Sequence, residues 1–562
     1  MAEKHTGFVL VELLKAYGVE YIFGIPGGQT LPLYDAVEVE KQGETIKHVM
    51  MRDERSAGHA ACVYSRFTGK VGVCDATVGP GATNLPSALG EALNSSTPML
   101  AIVGEHPVAW IDYIDHGRAS QGIDQINMLK AVSKKVFYVP TPEVLPSLVK
   151  AAFVEATSGR PGPVVLAIPA DVFKAPLQVD DLQDYVDSNF ITFPATRTVP
   201  EPDKIVKAAE LLAQAEDPVM LVGGGALISG AFKEVEELAD LLTIPVVTTF
   251  TGKGILPYDH PLALGVVGIF ANTPGGEELL RSSDLVLMVG TKNSQSSTFI
   301  WSVPTPKQKV IHLDIDPTEV GRIFRTDVPL VGDAKLGLAA ILESLKEGGK
   351  SSRDEKRLEK IEALKADWED KIAELFDTDD VPIKPFAVMA ALNETMGPED
   401  ILVCDAGFAS AWGGMYFQQK QAGRRCAFPR GLAGLGFTVP AGIGAQLATP
   451  ESRVVTLAGD GAFGYVLADL ATQVELNLPV VNIVLNNSAF GWVKWAEKAW
   501  YKNSFSASNL SRIEFAKVAE GLGCAGIKVE DPGELPGALK KALSLGRPVV
   551  LEVITDAVTT PK

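Results

Sequence analysis

The chain has 562 residues, 46% apolar and 21% charged, a composition of soluble globular proteins and a length beyond one core, so two or three domains are expected. A formal net charge of −18 argues against nucleic-acid and anionic-membrane partners. Five scattered cysteines (Cys62, Cys74, Cys404, Cys426 and Cys524) show no short paired spacing and read as reduced thiols. With neither a basic-then-apolar leader nor an uncharged apolar span near ~20 residues, a cytoplasmic location without a membrane span is expected.

Taken in chain order, short apolar runs such as Val71–Cys74, Met99–Val103 and Pro163–Pro169 alternate with helical stretches, which predicts an α/β domain over residues 1–180. A Pro- and Asp-containing stretch at 172–203 reads as linker. Pro218–Val222, Ile244–Val247, Leu285–Val289 and Val310–Ile315 predict a second sheet over 190–345, and Gly223-Gly224-Gly225 reads as a strand-end turn because no Gly-x-Gly-x-x-Gly spacing is met and no well-placed ribose acid follows. Residues 346–382 are charge-rich and helical, expected as a solvated connector. Over 383–562, the runs Ile401–Cys404, Arg453–Ala458 and Asn482–Leu485 predict a third sheet, with helical spacing across Tyr465–Glu475 between the last two. The expected fold class is therefore α/β, with three doubly wound parallel-sheet domains.

One constellation carries chemistry. Gly459-Asp460-Gly461-Ala462-Phe463 follows a strand, and Asn486-Asn487 ends the next one, with residues 462–485 between them. Asp460 and Asn487 then sit beyond the carboxyl ends of two strands, where such sheets bind ligands. Gly459 and Gly461 admit phosphate oxygens close to the backbone, and the following helix offers free N–H groups. A carboxylate plus an amide oxygen, completed by phosphates and water, suits magnesium.

Together the Gly-Asp-Gly, its spacing and the Asn-Asn resemble the thiamine diphosphate signature of the decarboxylase and acetolactate synthase superfamily. Arg52-Asp53-Glu54-Arg55-Ser56-Ala57-Gly58-His59, after Phe23-Gly24-Ile25-Pro26-Gly27-Gly28, resembles the other catalytic half of that family. The resemblance implies three domains (aminopyrimidine-binding, central, diphosphate-binding), and implies that Glu54 hydrogen-bonds the aminopyrimidine ring and favours the tautomer that takes the thiazolium proton. It also implies that Asp460, Asn487 and the carbonyl of Ala489 hold Mg2+. Pro26, Gly28, Gly79 and Asn84 (in Val78–Leu85) flank the cofactor by the same resemblance, and Gly407, Phe408, Ala409 and Ser410 form a second diphosphate loop. The resemblance of Gly431–Phe437 further implies that Leu435 is the wedge that bends the cofactor, against ordinary core as the alternative, and that the Ala433 carbonyl accepts from the cofactor's amino group. Gly459, Gly461, Ala462, Phe463, Phe490, Gly491 and Trp492 complete the expected contacts. Gln121 aligns with a glutamine facing the reacting carbon, against an exposed loop residue as the alternative. His116 is a candidate proton relay, again against a solvent-facing loop residue, and His59 and His312 read as satisfying local hydrogen bonds.

Two segments depart from the resembled pattern. The middle domain lacks the arginines and histidine that hold FAD in acetolactate synthases, where Gly290–Gln295 and Gly265–Gly268 stand here, which puts FAD in doubt and leaves another nucleotide or none. Ala496 stands where those synthases place an acceptor-pocket tryptophan, surrounded by Phe490, Trp492, Trp495 and Trp500. The implied activity is decarboxylation of a 2-oxo acid and carboligation to an aldehyde or ketone. Alternatives are a benzaldehyde lyase-like or acyl-CoA lyase-type enzyme, a simple 2-oxo acid decarboxylase, or a non-catalytic regulatory homologue. The resemblance implies a homodimer or homotetramer with active sites at the subunit interface.

Overall fold

A computed structural model describes residues 4–39, 46–349, 354–502 and 506–561. Three six-stranded, wholly parallel sheets follow one another along the chain. The first contains β1 (Tyr21–Gly24), β2 (Lys47–Met50), β3 (Gly72–Ala76), β4 (Met99–Glu105), β5 (Lys135–Tyr138) and β6 (Pro163–Pro169), in the order β2-β1-β3-β4-β6-β5. The second contains β7 (Pro218–Val222), β8 (Val246–Thr248), β9 (Ala263–Val266), β10 (Leu285–Val289), β11 (Lys309–Asp314) and β12 (Val328–Val331), in the order β12-β11-β10-β7-β8-β9. The third contains β13 (Ile401–Cys404), β14 (Cys426–Ala427), β15 (Val454–Gly459), β16 (Val481–Asn486), β17 (Ala525–Val529) and β18 (Val549–Ile554), in the order β14-β13-β15-β16-β18-β17. The α/β expectation therefore holds in all three units. Strands such as β4, β6 and β10 are buried along their whole length, as parallel strands covered by helices on both faces must be.

In each sheet the strand order changes direction at a switch point, leaving a crevice between β1 and β3, between β7 and β10, and between β13 and β15. Five glycine-containing segments follow strands at these crevices: Pro26–Gly28 after β1, Gly79 after β3, Gly223–Gly225 after β7, Gly407 after β13 and Gly459–Gly461 at the end of β15.

The first and third domains share one core, in which Phe23, Val49, Cys74 and Leu89 join Ile401, Phe437, Ala441 and Val480. Its seam is the helix Glu54–Thr68 against the helix Thr438–Ala448. A Cβ on Gly444 would lie 2.2 Å from the Ala60 carbonyl oxygen, so only glycine permits this approach. Small residues at 57, 60 and 61 thus serve helix packing.

Two expectations change. The charged connector is not solvated all round: its helix Glu355–Phe376 buries Ile361 in the central core and Trp368 and Ile372 in the C-terminal one, while residues 350–353 lie outside the described part. The helical stretch expected over Tyr465–Glu475 is broken into Asp460–Gly464, a 3-10 turn at Leu467–Asp469 and Leu470–Glu475. The Asp469 carboxylate at the end of the 3-10 turn accepts the Arg52 N–H at 2.9 Å, tying this segment to the chain just before Glu54.

Candidate active site

Gly407, Asp460 and Asn487 lie beyond the ends of the adjacent strands β13, β15 and β16, so the sheet brings together segments some eighty residues apart in sequence. Asp460 is 4% exposed. Burial pushes its carboxyl up to about 6, against the opposing pull of N–H groups from Gly461, Ser488, Ala489 and Asn487, and one of its oxygens accepts from Gly461 at 2.7 Å. A buried carboxylate held this far above its ordinary range gains by sharing a cation.

The two asparagines divide their work. Asn486 is buried, and its amide donates to the Ile513 carbonyl at 2.8 Å and to Glu552 Oε1 at 2.7 Å, so it ties β16 to β18. Asn487 is half-buried, and its Oδ1 accepts from the Ala489 N–H at 3.0 Å, which curls the segment back over Asp460. Among the described residues no group of three or more His, Cys, Asp or Glu is placed to hold a metal. A cation at Asp460 therefore needs amide, carbonyl and phosphate oxygens around it, a shell magnesium accepts.

Around this pair, Gly407 (φ +76°) caps the helix Phe408–Tyr416, and both Gly407 and Gly459 face open space. That gap, with free N–H groups at its rim, is a cradle of the kind a diphosphate fits. Ser410 does not contribute to the cradle as expected: it is fully buried and its hydroxyl proton goes to the Asp405 carbonyl at 2.6 Å. Phe463 likewise turns inward, stacking edge-on to Phe515 in the core, so any contact it makes is through its backbone. Ala409, Ala462 and Ala489 are buried supports. The Phe490 ring lies against Gly461, Gly491 touches the Phe408 ring, and Trp492 packs edge-on to Phe408 and Phe270 at 5.5 and 5.3 Å. This aromatic wall extends through Trp495 to Trp500, with Ala496 buried behind it.

Ala433 (φ +58°) and Leu435 occupy the loop Gly431–Gly436, Ala433 exposed and Leu435 half-buried. Asp405 holds the end of this loop. Fully buried, it accepts from the N–H groups of Gly436, Phe437 and Thr438 at 3.1, 2.9 and 3.0 Å and from the Thr438 hydroxyl at 3.0 Å. No motif marks this role; its one signal in the sequence is an acid directly after the apolar run Ile401–Cys404.

In the first domain Glu54 opens its helix, N-capped by Asp53, and is 8% exposed. Its Oε2 accepts from Asn84 Nδ2 at 2.9 Å, and Gly81 comes close to its Oε1, so the Val78–Leu85 turn presents the carboxyl. Pro26 and Gly28 are exposed at the neighbouring crevice. Gly79 (φ +67°) lies so close to Gln121 that a Cβ would sit 2.4 Å from its carbonyl oxygen. Gln121 is exposed with φ +68°, held beside this turn by a network absent from the sequence reading. Gln125 accepts from Gly79 N–H at 2.9 Å and donates to Glu105 at 2.9 Å, while the His106 ring meets the Ser120 carbonyl at 2.9 Å. His116 is exposed on a 3-10 turn. His312 bonds the Thr291 carbonyl at 3.0 Å as expected, but His59 is buried with neither ring nitrogen partnered, because its helix packs it against Phe437.

A cavity of ≈ 480 Å³ opens at the middle domain's crevice, lined by Gly223–Gly225, Thr251, Lys292 and Asp314 and walled on the other side by first- and third-domain residues such as Arg160 and Arg430. Asp314 ends β11, and burial pushes its carboxyl up to about 6. An acid thus does face the Gly223–Gly225 turn, brought there by the sheet rather than by sequence spacing.

Family models for thiamine pyrophosphate enzymes match in three consecutive parts: the N-terminal TPP binding domain over residues 4–128, the central domain over 205–341 and the C-terminal TPP binding domain over 405–553. The chain is 36% identical to a probable acetolactate synthase large subunit of Methanocaldococcus jannaschii, over 97% of this chain and 91% of that protein. It is 34% identical to an acetolactate synthase of Arthrospira platensis (97% and 93% covered) and 34% to an acetolactate synthase large subunit of Corynebacterium glutamicum (98% and 87%). With the models matching a part of each of the three domains and the relatives covering 97% or more of the chain, it belongs to the thiamine pyrophosphate enzymes, as an acetolactate synthase-like member.

Proposed function

We propose that the protein decarboxylates a pyruvate-like 2-oxo acid and joins the remaining acyl unit to a second carbonyl, giving an acetohydroxy acid or 2-hydroxy ketone. The observation that carries this reading is the meeting of Gly407, Asp460 and Asn487 at one crevice, in a chain whose relatives are named acetolactate synthases. Bound thiamine diphosphate would supply a nucleophilic carbon and an electron sink for the loss of carbon dioxide. Asp460, Asn487 and the Ala489 carbonyl would hold Mg2+ on the diphosphate, with N–H groups at the start of Phe408–Tyr416 taking phosphate oxygens. Glu54 would keep a proton against the pyrimidine ring, the Ala433 carbonyl would orient the amino group, and Leu435 would set the bend. Gln121 and His116 remain the candidates for contact with the reacting groups, and the aromatic wall at Trp492 keeps water from them.

FAD is left out of this assignment. Around the central cavity Arg430 stands over the Phe250 and Phe270 rings, while other cations are engaged by protein acceptors: Arg160 by Glu319, Lys292 by the Asn94 carbonyl and Arg424 by the carbonyls of Arg66 and Leu227. A flavin diphosphate would have to displace them. A homodimer or homotetramer is supported by Trp110, Ile111 and Tyr113, large apolar side chains at least half exposed beside the first domain's crevice. The free cysteines support a reducing, cytoplasmic setting, and among the described residues no helix is long and apolar enough to cross a membrane.

The test incubates purified protein with thiamine diphosphate, Mg2+ and a panel of 2-oxo acids and aldehydes, with products identified by mass. Pyruvate should yield carbon dioxide and acetolactate, and Glu54→Gln should lower the rate at least about 100-fold. Carbon dioxide release unchanged in Glu54→Gln, or no turnover of any 2-oxo acid by the wild type, would refute the reading.

A further inference from the structure

The loop bearing Ala433 and Leu435 is gripped at both ends by buried carboxylates. Asp405 takes the far end, and the acceptor at the near end comes from another domain. Glu91, in the helix Pro86–Asn94, is 1% exposed and accepts from the Gly431 N–H at 3.1 Å and the Leu432 N–H at 2.7 Å. The carboxylate is itself held by Arg66 Nη2 at 2.9 Å and the Ser95 hydroxyl at 2.7 Å. Arg66 spreads the grip: its Nη1 donates to the Phe428 carbonyl at 3.1 Å and its Nε to Thr97 Oγ1 at 3.1 Å. The packing leaves no slack, since a Cβ on Gly431 would lie 2.2 Å from the Glu91 carbonyl oxygen, and Leu432 presses on Gly90. Burial pushes the Glu91 carboxyl up, but the Arg66 charge, the Leu432 N–H and the Ser95 hydroxyl outweigh it and hold the group below its ordinary range.

We propose that Glu91, braced by Arg66, is a positioning residue for the cofactor-bending loop: by fixing Gly431 and Leu432 it sets where the Ala433 carbonyl and the Leu435 side chain stand. The role rests on the thiamine diphosphate reading. An ion pair needed only for stability would take donors from anywhere nearby, whereas here both carboxylate oxygens are spent on consecutive N–H groups three and four residues from the wedge. A misplacement of about 1 Å in a group that orients a reacting proton costs on the order of 100-fold in rate.

The test compares the full-length wild type with Glu91→Gln and with the double variant Arg66→Met/Glu91→Met, in which an apolar pair replaces the ion pair. Three quantities are measured: amide hydrogen exchange across residues 428–437 without cofactor, thiamine diphosphate affinity with Mg2+ by calorimetry, and the exchange rate of the thiazolium C2 proton of bound cofactor. Glu91→Gln should speed exchange at Gly431 and Leu432 about 10- to 30-fold, the value of a lost charge-assisted bond. It should leave affinity within about 3-fold and slow C2 exchange about 10- to 100-fold. Because a packed apolar pair can match a buried ion pair in stability, the double variant should recover the thermal midpoint without recovering loop protection or C2 exchange, and it carries the test if Glu91→Gln fails to fold. Wild-type C2 exchange in a variant whose loop has lost protection, or a loop whose protection is unchanged, overturns the role alone. Failure of the wild type to bind thiamine diphosphate overturns the cofactor reading and the role with it.

Discussion

Replacing His59 by leucine should make the protein less sensitive to acid. The imidazole is 1% exposed, neither nitrogen has a hydrogen-bond partner, and its ring meets Phe437 edge-on at 5.3 Å. Burial lowers its pKa from 6.5 to about 4, with Glu91 opposing that change and Arg55 and Arg66 adding to it. The folded pKa of this base is depressed, so between pH 6.5 and 4 the unfolded chain takes a proton that the folded chain refuses. Stability is therefore lost as pH falls through that window. At pH 5 the loss is about 2 kcal/mol, because every tenfold drop in proton affinity is worth about 1.4 kcal/mol and most of the difference is expressed there. Asp314, Asp460 and Asp469 act in the opposite sense. Their folded values, raised by burial to about 6, let the folded state take protons first, so the contribution of each rises as pH falls through 6. Only a difference between two proteins isolates His59. Urea unfolding of wild type and His59→Leu at pH 8 measures the packing change alone; at pH 5 the gap should move about 2 kcal/mol in favour of the variant. An equal gap at both pH values, or a folded-state imidazole titrating near 6.5 by NMR, would refute the reasoning.

Other perturbations follow from the same geometry. Gly79→Ala should cost about 1–3 kcal/mol of stability and push Gln121 away, because the backbone is left-handed there and the new methyl meets the Gln121 carbonyl; thermal melts and kcat/KM for the 2-oxo acid check both. Asn487→Ala should weaken Mg2+-dependent cofactor binding at least about 10-fold in calorimetry with little change in melting temperature. Asn486→Ala should do the reverse, losing about 1–3 kcal/mol because Glu552 Oε1 is left buried without that donor. Asp405→Ala should strip the acceptor from three N–H groups of the 436–438 segment, costing at least about 3 kcal/mol and raising its proteolytic sensitivity.

Much of the site was legible because it is built from local rules. A glycine turn at the end of an apolar strand, and an amide at the end of the next, mark a crevice wherever the sheet is parallel, and Asp460 and Asn487 stand at such positions in β15 and β16. Glu54 was legible only through the resemblance of Arg52–His59 to a family segment; its place as the first residue of a helix capped by Asp53 comes from the structure. What escaped was set by distant partners. Ser410 and Phe463 belong to the right motifs but point into the core, since each lies on the buried face of the helix that follows its strand. His59 shares the pattern of a satisfied helix histidine, and only the close helix seam denies it a partner. Gln125 and Glu91 stand in stretches without any motif. Their importance lies in reaching Gly79 across 46 residues and Gly431 across 340.

The amino-acid sequence alone determined the three α/β units, because hydrophobic periodicity and turn chemistry act over a few residues, and its resemblance to a known family pointed to the cofactor class and to candidate residues with the right functional groups. Tertiary structure decided which of those groups face the crevice and which are spent on holding it. That choice depends on burial, which forces every polar group taken out of water to find a partner, and the partners of Asp460, Asn486, Asp405 and Glu91 are supplied by neighbouring strands, turns and another domain.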